Sequence, residues 1–191
     1  TQAESSAASD VYKRQMITYG TEAMPESLLL RLKKELPRVK LLQTFGTSET
    51  GIAQTSSRSS DSLEIKIDDP NQEYKIINGE LWLKSKTQIL GYLNHDMSSF
   101  SDDGWFKTGD LVQESDDGYL KVIGRKKEMI NVGGEKVLPS EVESVVLEVE
   151  GVLDCVAYAV KNAINGQTVA INVVIGENFE ERFIKKAIRK H

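Results

Sequence analysis

Hydrophobic residues change their spacing twice along this chain, and those two changes narrow the possible architecture more than any other feature. A short apolar run, "MITYG", is followed by helical spacing and then by a second run, "VKLLQTF". In the intervening "MPESLLLRLKKELP", Leu28, Leu29, Leu32 and Leu36 are expected on one face, Pro25 suits a first turn and Pro37 stops the helix. Strand, helix, strand is the unit of a parallel α/β layer. From Leu63 to Gly124 the pattern becomes short and partly alternating: "LEIKI", "YKII", "GELWLKS" and "DLVQESDDGYLKVIG". These predict antiparallel strands, with Asp117-Gly118 turning a hairpin and "NHDMSSFSDDGW" forming a surface loop. After Gly124 helical spacing returns. Ser140 and Glu143 predict a capping box, Val142, Val145, Val146 and Val149 form one stripe, and Gly151 ends the helix. "VLDCVAYAV" and "TVAINVVI" predict a hairpin through Asn165-Gly166. "FEERFIKKAIRKH" opens a last helix with Phe179, Phe183, Ile184, Ala187 and Ile188 inward. A two-stranded hairpin with two helices looks unfinished at that size.

The expected fold class is therefore mixed α+β. It comprises the end of a parallel α/β layer over residues 16–61, a small antiparallel β-barrel-like subdomain over 62–125, and a truncated small α+β domain over 126–191. Residues 1–15, polar and rich in Ser and Ala, read as a non-native or disordered leader.

Bulk properties exclude several classes. With 191 residues, 39% hydrophobic and 28% charged, the chain can bury a core. The net charge of −5 and the lack of a Lys/Arg stripe with interleaved aromatics argue against nucleic-acid binding. No apolar run reaches the ~20 residues of a spanning helix. The single cysteine, Cys155, excludes an intrachain disulfide, and it reads as a small, buried apolar residue. Two histidines, His95 and His191, are too few and too scattered for a histidine metal site, and no G-x-S-x-G elbow appears. A cytoplasmic location is the default expectation.

Chemistry concentrates in "LLQTFGTSET", where an apolar run breaks into hydroxyls, one glycine and one carboxylate. Alone, this is either a strand with a polar turn or the floor of a nucleotide site. Three more segments bear on the choice: "GELWLKSKTQILGYLN", "GWFKTGDL" and "GRKKEMINVGGEKVLPSEVE". In this order and spacing the four segments resemble the adenylate-forming superfamily of acyl-CoA synthetases, peptide-synthetase adenylation domains and luciferases. The resemblance runs from about Tyr19 to the C-terminus. It implies ATP-dependent activation of a carboxylic acid to an acyl-adenylate, with loss of pyrophosphate, then transfer to a thiol. Coenzyme A is the acceptor the resemblance favours; an acyl carrier protein and a non-catalytic nucleotide-binding derivative of the fold are the alternatives.

What the resemblance implies for single residues has a physical basis in each case. Phe45, where the family more often has Tyr, would stack on adenine. Gly46 would let backbone approach the nucleotide, with Thr47 beside it, and Ser48, matching the family's usual Thr, would donate to the α-phosphate. Glu49 would hold Mg²⁺, a cation that takes one or two carboxylates beside phosphates. Thr44 departs from the family's commoner residues. Asp110 of "KTGD" would accept from both ribose hydroxyls, Arg125 would donate on the ribose or phosphate side, and Val122 would touch the base. Lys127 matches the hinge between a large domain, whose C-terminal part is 16–125, and a lid over 126–191. Gly133 and Gly134 would leave room for a pantetheine arm on the coenzyme A side. "GELWLKSKTQILGYL" is scaffold, a strand and then a turn packed by Tyr92 and Leu93.

A Ser/Thr/Gly-rich phosphate loop with a lysine, and a Gly-Lys catalytic lysine, complete the family pattern. Neither context occurs here; Lys185, Lys186 and Lys190 lie outside it. The expectation is an internal part of a larger enzyme, inactive in adenylation by itself.

Overall fold

The structure is a computed structural model that describes residues 15–177 and 179–190. Apart from Gln15, the expected leader lies outside the described residues. The Gln15 carbonyl accepts from Lys40 N at 2.9 Å, so backbone pairing starts there.

Strands β1 (Met16–Tyr19) and β2 (Lys40–Gln43) pair in parallel, joined through helix α1 (Glu26–Glu35). Leu29, Val39 and Leu41 form the core of this unit, with Leu32 and Leu36 against it. Leu28, expected on the buried face, is 37% exposed. Each helical residue turns about 100°, so a stripe centred on Leu29 and Leu32 carries Leu28 outward. The outer edge of β2 is satisfied by hydroxyls instead of a further strand. Leu41 N donates to Ser60 Oγ at 3.1 Å, Gln43 N donates to Ser57 Oγ at 2.9 Å, and Thr55 Oγ1 donates to Gln43 O at 2.9 Å.

Two short strands, β3 (Gly46–Thr47) and β4 (Gly51–Ile52), make a small hairpin. The main sheet holds β5 (Thr55–Ser57), β6 (Glu64–Ile67), β7 (Gln72–Ile77), β8 (Glu80–Ser85), β9 (Phe106–Glu114) and β10 (Leu120–Arg125). Its order is β5-β6-β10-β9-β8-β7, antiparallel throughout, and it curls into a half barrel. Alternation puts Ile65, Ile67, Leu81, Leu83, Val112 and Leu120 on the inner face. The expected β9–β10 turn forms, with Gly118 at φ +78 and Tyr119 N donating to Ser115 Oγ at 3.1 Å.

A single 3₁₀ turn, Lys126–Glu128, leads into β11 (Ile130–Val132), β12 (Glu135–Val137), α2 (Pro139–Leu147), β13 (Val152–Asn162), β14 (Gly166–Ile175) and α3 (Glu181–Lys190). Four strands form the second sheet, in the order β12-β11-β14-β13, where two were expected. "NVGGEKV", where no strand was expected, forms a hairpin; its three-residue strands are too short to show a period. They are held by the pairing of Val132 with Gly166.

The expected capping box does not form. Leu138 precedes the first helical residue, Pro139, and Ser140 already lies inside α2. Ser140 Oγ donates to Ile123 O at 2.6 Å, and Glu143 Oε1 accepts from Ala157 N at 2.8 Å. Both side chains serve tertiary contacts in place of the helix end. Phe183 and Ile188, expected inward on α3, are 38% and 41% exposed; Ile184 and Ala187 are half-buried. Leu93 is 99% exposed and packs no turn.

Candidate active site

Two irregularities in the half barrel bring an acidic and a basic side chain together. Glu80 stands opposite Leu111 and Trp82 opposite Lys107, so β9 carries surplus residues over Thr108–Asp110. Gly109 takes φ +76, a conformation that disfavours any side chain. Thr108 locks this bulge: its Oγ1 donates to Leu81 O at 2.7 Å and accepts from Asp110 N at 3.0 Å. A register shift on β10 between Val122 and Gly124 sets Arg125 opposite Asp110. Arg125 Nε then lies 3.1 Å from Asp110 Oδ1.

Asp110 is buried at 5% exposure, whereas Arg125 is exposed. Burial pushes the Asp110 carboxyl above the usual carboxylate range, while the Arg125 guanidinium and the Thr108 hydroxyl pull the other way. Thr108, Gly109, Arg125, Lys126 and Lys127 line an adjoining cavity of about 300 Å³. A shielded carboxylate beside a cationic hollow offers acceptors to a diol and donors to an anion.

The β3–β4 hairpin is pinned separately. Thr47 Oγ1 bonds Thr50 Oγ1 at 3.0 Å and accepts from Thr50 N at 3.1 Å, while Gln72 Nε2 donates to Thr50 O at 2.9 Å. Thr47 thus spends its hydroxyl on the turn. A Cβ on Gly46 would meet Ile52 Cα at 2.6 Å, so this glycine also serves the close approach of β4. Ser48 is exposed, and Glu49 is half-buried. Tyr92 donates its hydroxyl to Glu49 Oε1 at 2.8 Å, and Ile89 N donates to Glu49 O at 2.8 Å. Burial, then the Glu49 carboxylate, raises the Tyr92 pKa, which keeps it a donor.

Gly109, Arg125, Lys126 and Lys127 thus meet around one cavity, with Asp110 paired to Arg125 beside it. Phe45 and Val122 share the half-barrel core cluster, both partly buried. Ser48 and Glu49 are not among the residues lining the cavity. Lys127 falls in the 3₁₀ turn between the two sheets. Gly133 and Gly134, at φ +61 and +103, form the exposed tip of the β11–β12 hairpin; Gly133 N donates to Asn165 O at 3.1 Å. Sequence reasoning missed Tyr92 as a partner of Glu49. A phenol in an otherwise Gly/Asn-rich turn was the available signal, without a period to say where it points.

No protein-family model matches the chain. Solved structures place its fold. It superposes with a TM-score of 0.79 and 24% identity on o-succinylbenzoate CoA synthetase from Bacillus subtilis in complex with its acyl-adenylate intermediate, covering 96% of this chain and 42% of that one. It matches an amide bond synthetase from Marinactinospora thermotolerans at TM-score 0.79 and 22% identity, covering 93% and 40%. Both likenesses define a mixed α+β fold of strands with few helices. Curated relatives place it further. Acyl-CoA synthetase 7 of Caenorhabditis elegans is 30% identical over 197 residues, 95% of this chain and 36% of the relative. 2-Succinylbenzoate–CoA ligase of Staphylococcus epidermidis is 29% identical over 139 residues, 72% of this chain and 29% of the relative. The chain is similar to acyl-CoA ligases and adenylate-forming enzymes. It spans about a third of the length of the curated relatives it matches.

Proposed function

We propose that this chain carries the ribose- and hinge-side part of an ATP-dependent acid–thiol ligase, which forms an acyl-adenylate and then a thioester with coenzyme A. The observation that supports it most is the bulged Asp110–Arg125 pair, whose Arg125 lines a cationic cavity. In this role Asp110 accepts from the ribose hydroxyls of AMP, and Arg125 donates toward the ribose or the phosphate. Phe45 and Val122 face the base, with Gly46 and Thr47 at its edge. Ser48 donates to the α-phosphate as negative charge builds there.

Glu49 offers a single carboxylate, oriented by Tyr92, which fits a Mg²⁺ ion held mainly by phosphates. When bound, that ion neutralises phosphate charge. Residues 16–125 then form the C-terminal part of the large domain and 126–191 a lid that pivots at Lys127. The Gly133-Gly134 tip passes beside a pantetheine arm after rotation. A fatty, aryl or other carboxylic acid is the substrate class.

The test is acid-dependent pyrophosphate release by a full-length enzyme containing these residues, across a panel of carboxylic acids, with coenzyme A or a carrier protein as acceptor. Thioester formation with coenzyme A supports the proposal. Transfer only to a carrier protein replaces the acceptor. No acid-dependent release overturns it. The 191-residue chain alone is expected to bind AMP without forming acyl-AMP.

A further inference from the structure

The half barrel buries a second carboxylate that the ribose and metal roles leave unused. Glu80 opens β8, directly after the Asn78-Gly79 turn, and is 6% exposed. A buried carboxylate needs partners, and Glu80 has one for each oxygen. Its Oε1 accepts from Gly109 N at 3.2 Å, and its Oε2 lies 2.9 Å from Lys126 Nζ. Gly109 precedes Asp110, and Lys126 precedes Lys127.

We infer that Glu80 is a positioning residue that fixes the ribose-binding bulge and the near side of the lid pivot to one point of the sheet. The inference rests on the roles proposed above for Asp110 and Lys127. Its physical content is separable into two contacts. The Gly109 contact holds the αL corner of the bulge, on which the aim of the Asp110 side chain depends. The Lys126 contact holds the last residue before the pivot, so that backbone rotation begins at Lys127 and does not spread back along β10. Lys126 is itself largely exposed, with 62% of its side chain accessible against 8% for Glu80. The buried partner supplies the fixed end and the exposed one is recruited to it.

Across the pivot the contacts differ. Ser140 Oγ on Ile123 O joins the second sheet's helix to β10, and a Cβ on Gly124 would meet Leu138 Cδ2 and Ser140 Oγ at 3.1 Å. Those contacts must break if the segment beyond Lys127 turns; the Glu80–Lys126 pair need not. Sheet-side anchoring and lid docking are therefore carried by different residues.

The test compares Glu80→Gln, Lys126→Met and Glu80→Ala with the unsubstituted protein, reading amide hydrogen exchange residue by residue and AMP affinity by titration. Glu80→Gln and Lys126→Met remove the charge pair and leave an acceptor for Gly109. Both are expected to speed exchange at residues 126–129 about tenfold; Glu80→Gln, which leaves every residue lining the cavity in place, is expected to change AMP affinity less than about threefold. Glu80→Ala removes both contacts, and exchange at Gly109 and Asp110 is expected to rise with a tenfold or greater loss of AMP affinity. Equal behaviour of all three variants, or a uniform rise in exchange over the whole half barrel, overturns the inference. If the unsubstituted protein binds no AMP, the nucleotide role fails, and exchange at 109–110 and 126–129 alone still decides the two anchors. If AMP binds and Asp110→Asn abolishes it while Glu80→Ala does not, only the positioning role fails.

Discussion

Asp110, a candidate site residue, opposes the stability of its own fold. Burial raises its pKa, and Arg125 offsets that only in part. A carboxyl with a folded-state pKa above its unfolded value holds its proton more tightly when folded. The fold therefore loses stability as pH rises from the ordinary carboxylate range through the raised value. Asp110→Asn removes this loss, so the stability of the variant relative to the parent should grow as pH climbs through that window and level off above it. Urea unfolding at a series of pH values measures the gap, and a gap that is flat or narrows across the window contradicts the assignment. Cys155, expected to be buried, is half-buried and donates its thiol to Glu143 O at 3.5 Å. Burial, with Glu143 and Asp154 adding, pushes its pKa up to about 11. Against the ordinary value of 9.0, its reaction with a disulfide reagent at pH 8 should be about 100-fold slower than that of an unperturbed thiol. A rate equal to that of free cysteine contradicts this.

Among the elements, those with a period were legible and those fixed by tertiary partners were not. The β1–α1–β2 unit, the alternating strands of the half barrel and the β13–β14 hairpin follow from spacing and turn residues. The β11–β12 hairpin does not, because three-residue strands have no period and Val132 finds its partner at Gly166, far along the chain. Ser140 and Glu143 carried the pattern of a capping box, yet their side chains reach Ile123 O and Ala157 N. A double-mutant cycle separates the two cases. As independent tertiary contacts, Ser140→Ala and Glu143→Ala should each cost about 1 kcal/mol, with a coupling below about 0.5 kcal/mol. A coupling well above that value would restore the capping box.

At the scale of the whole molecule, the chain joins a half-barrel sheet to a four-stranded sheet through one 3₁₀ turn, and the cavity of the candidate site is lined by the half barrel and that turn. Among the described residues, no helix is long and apolar enough to cross a membrane. Asp110 and Arg125 entered as candidate site residues through family likeness alone; the bulge at Thr108–Asp110 that sets the carboxylate opposite Arg125 was not legible. A bulge is a mismatch between two strands, and neither strand records it by itself. Glu80 escaped for the same reason, since its partners at Gly109 and Lys126 lie on other segments. In the proposed function Asp110 grips the ribose of AMP. Calorimetric titration of the protein with AMP, with 3′-deoxy-AMP and of the Asp110→Asn variant with AMP tests it most directly. Saturable AMP binding, weakened at least tenfold by loss of the 3′-hydroxyl and by the substitution, is the predicted result. Equal affinity in all three titrations, or no AMP binding at all, would contradict it.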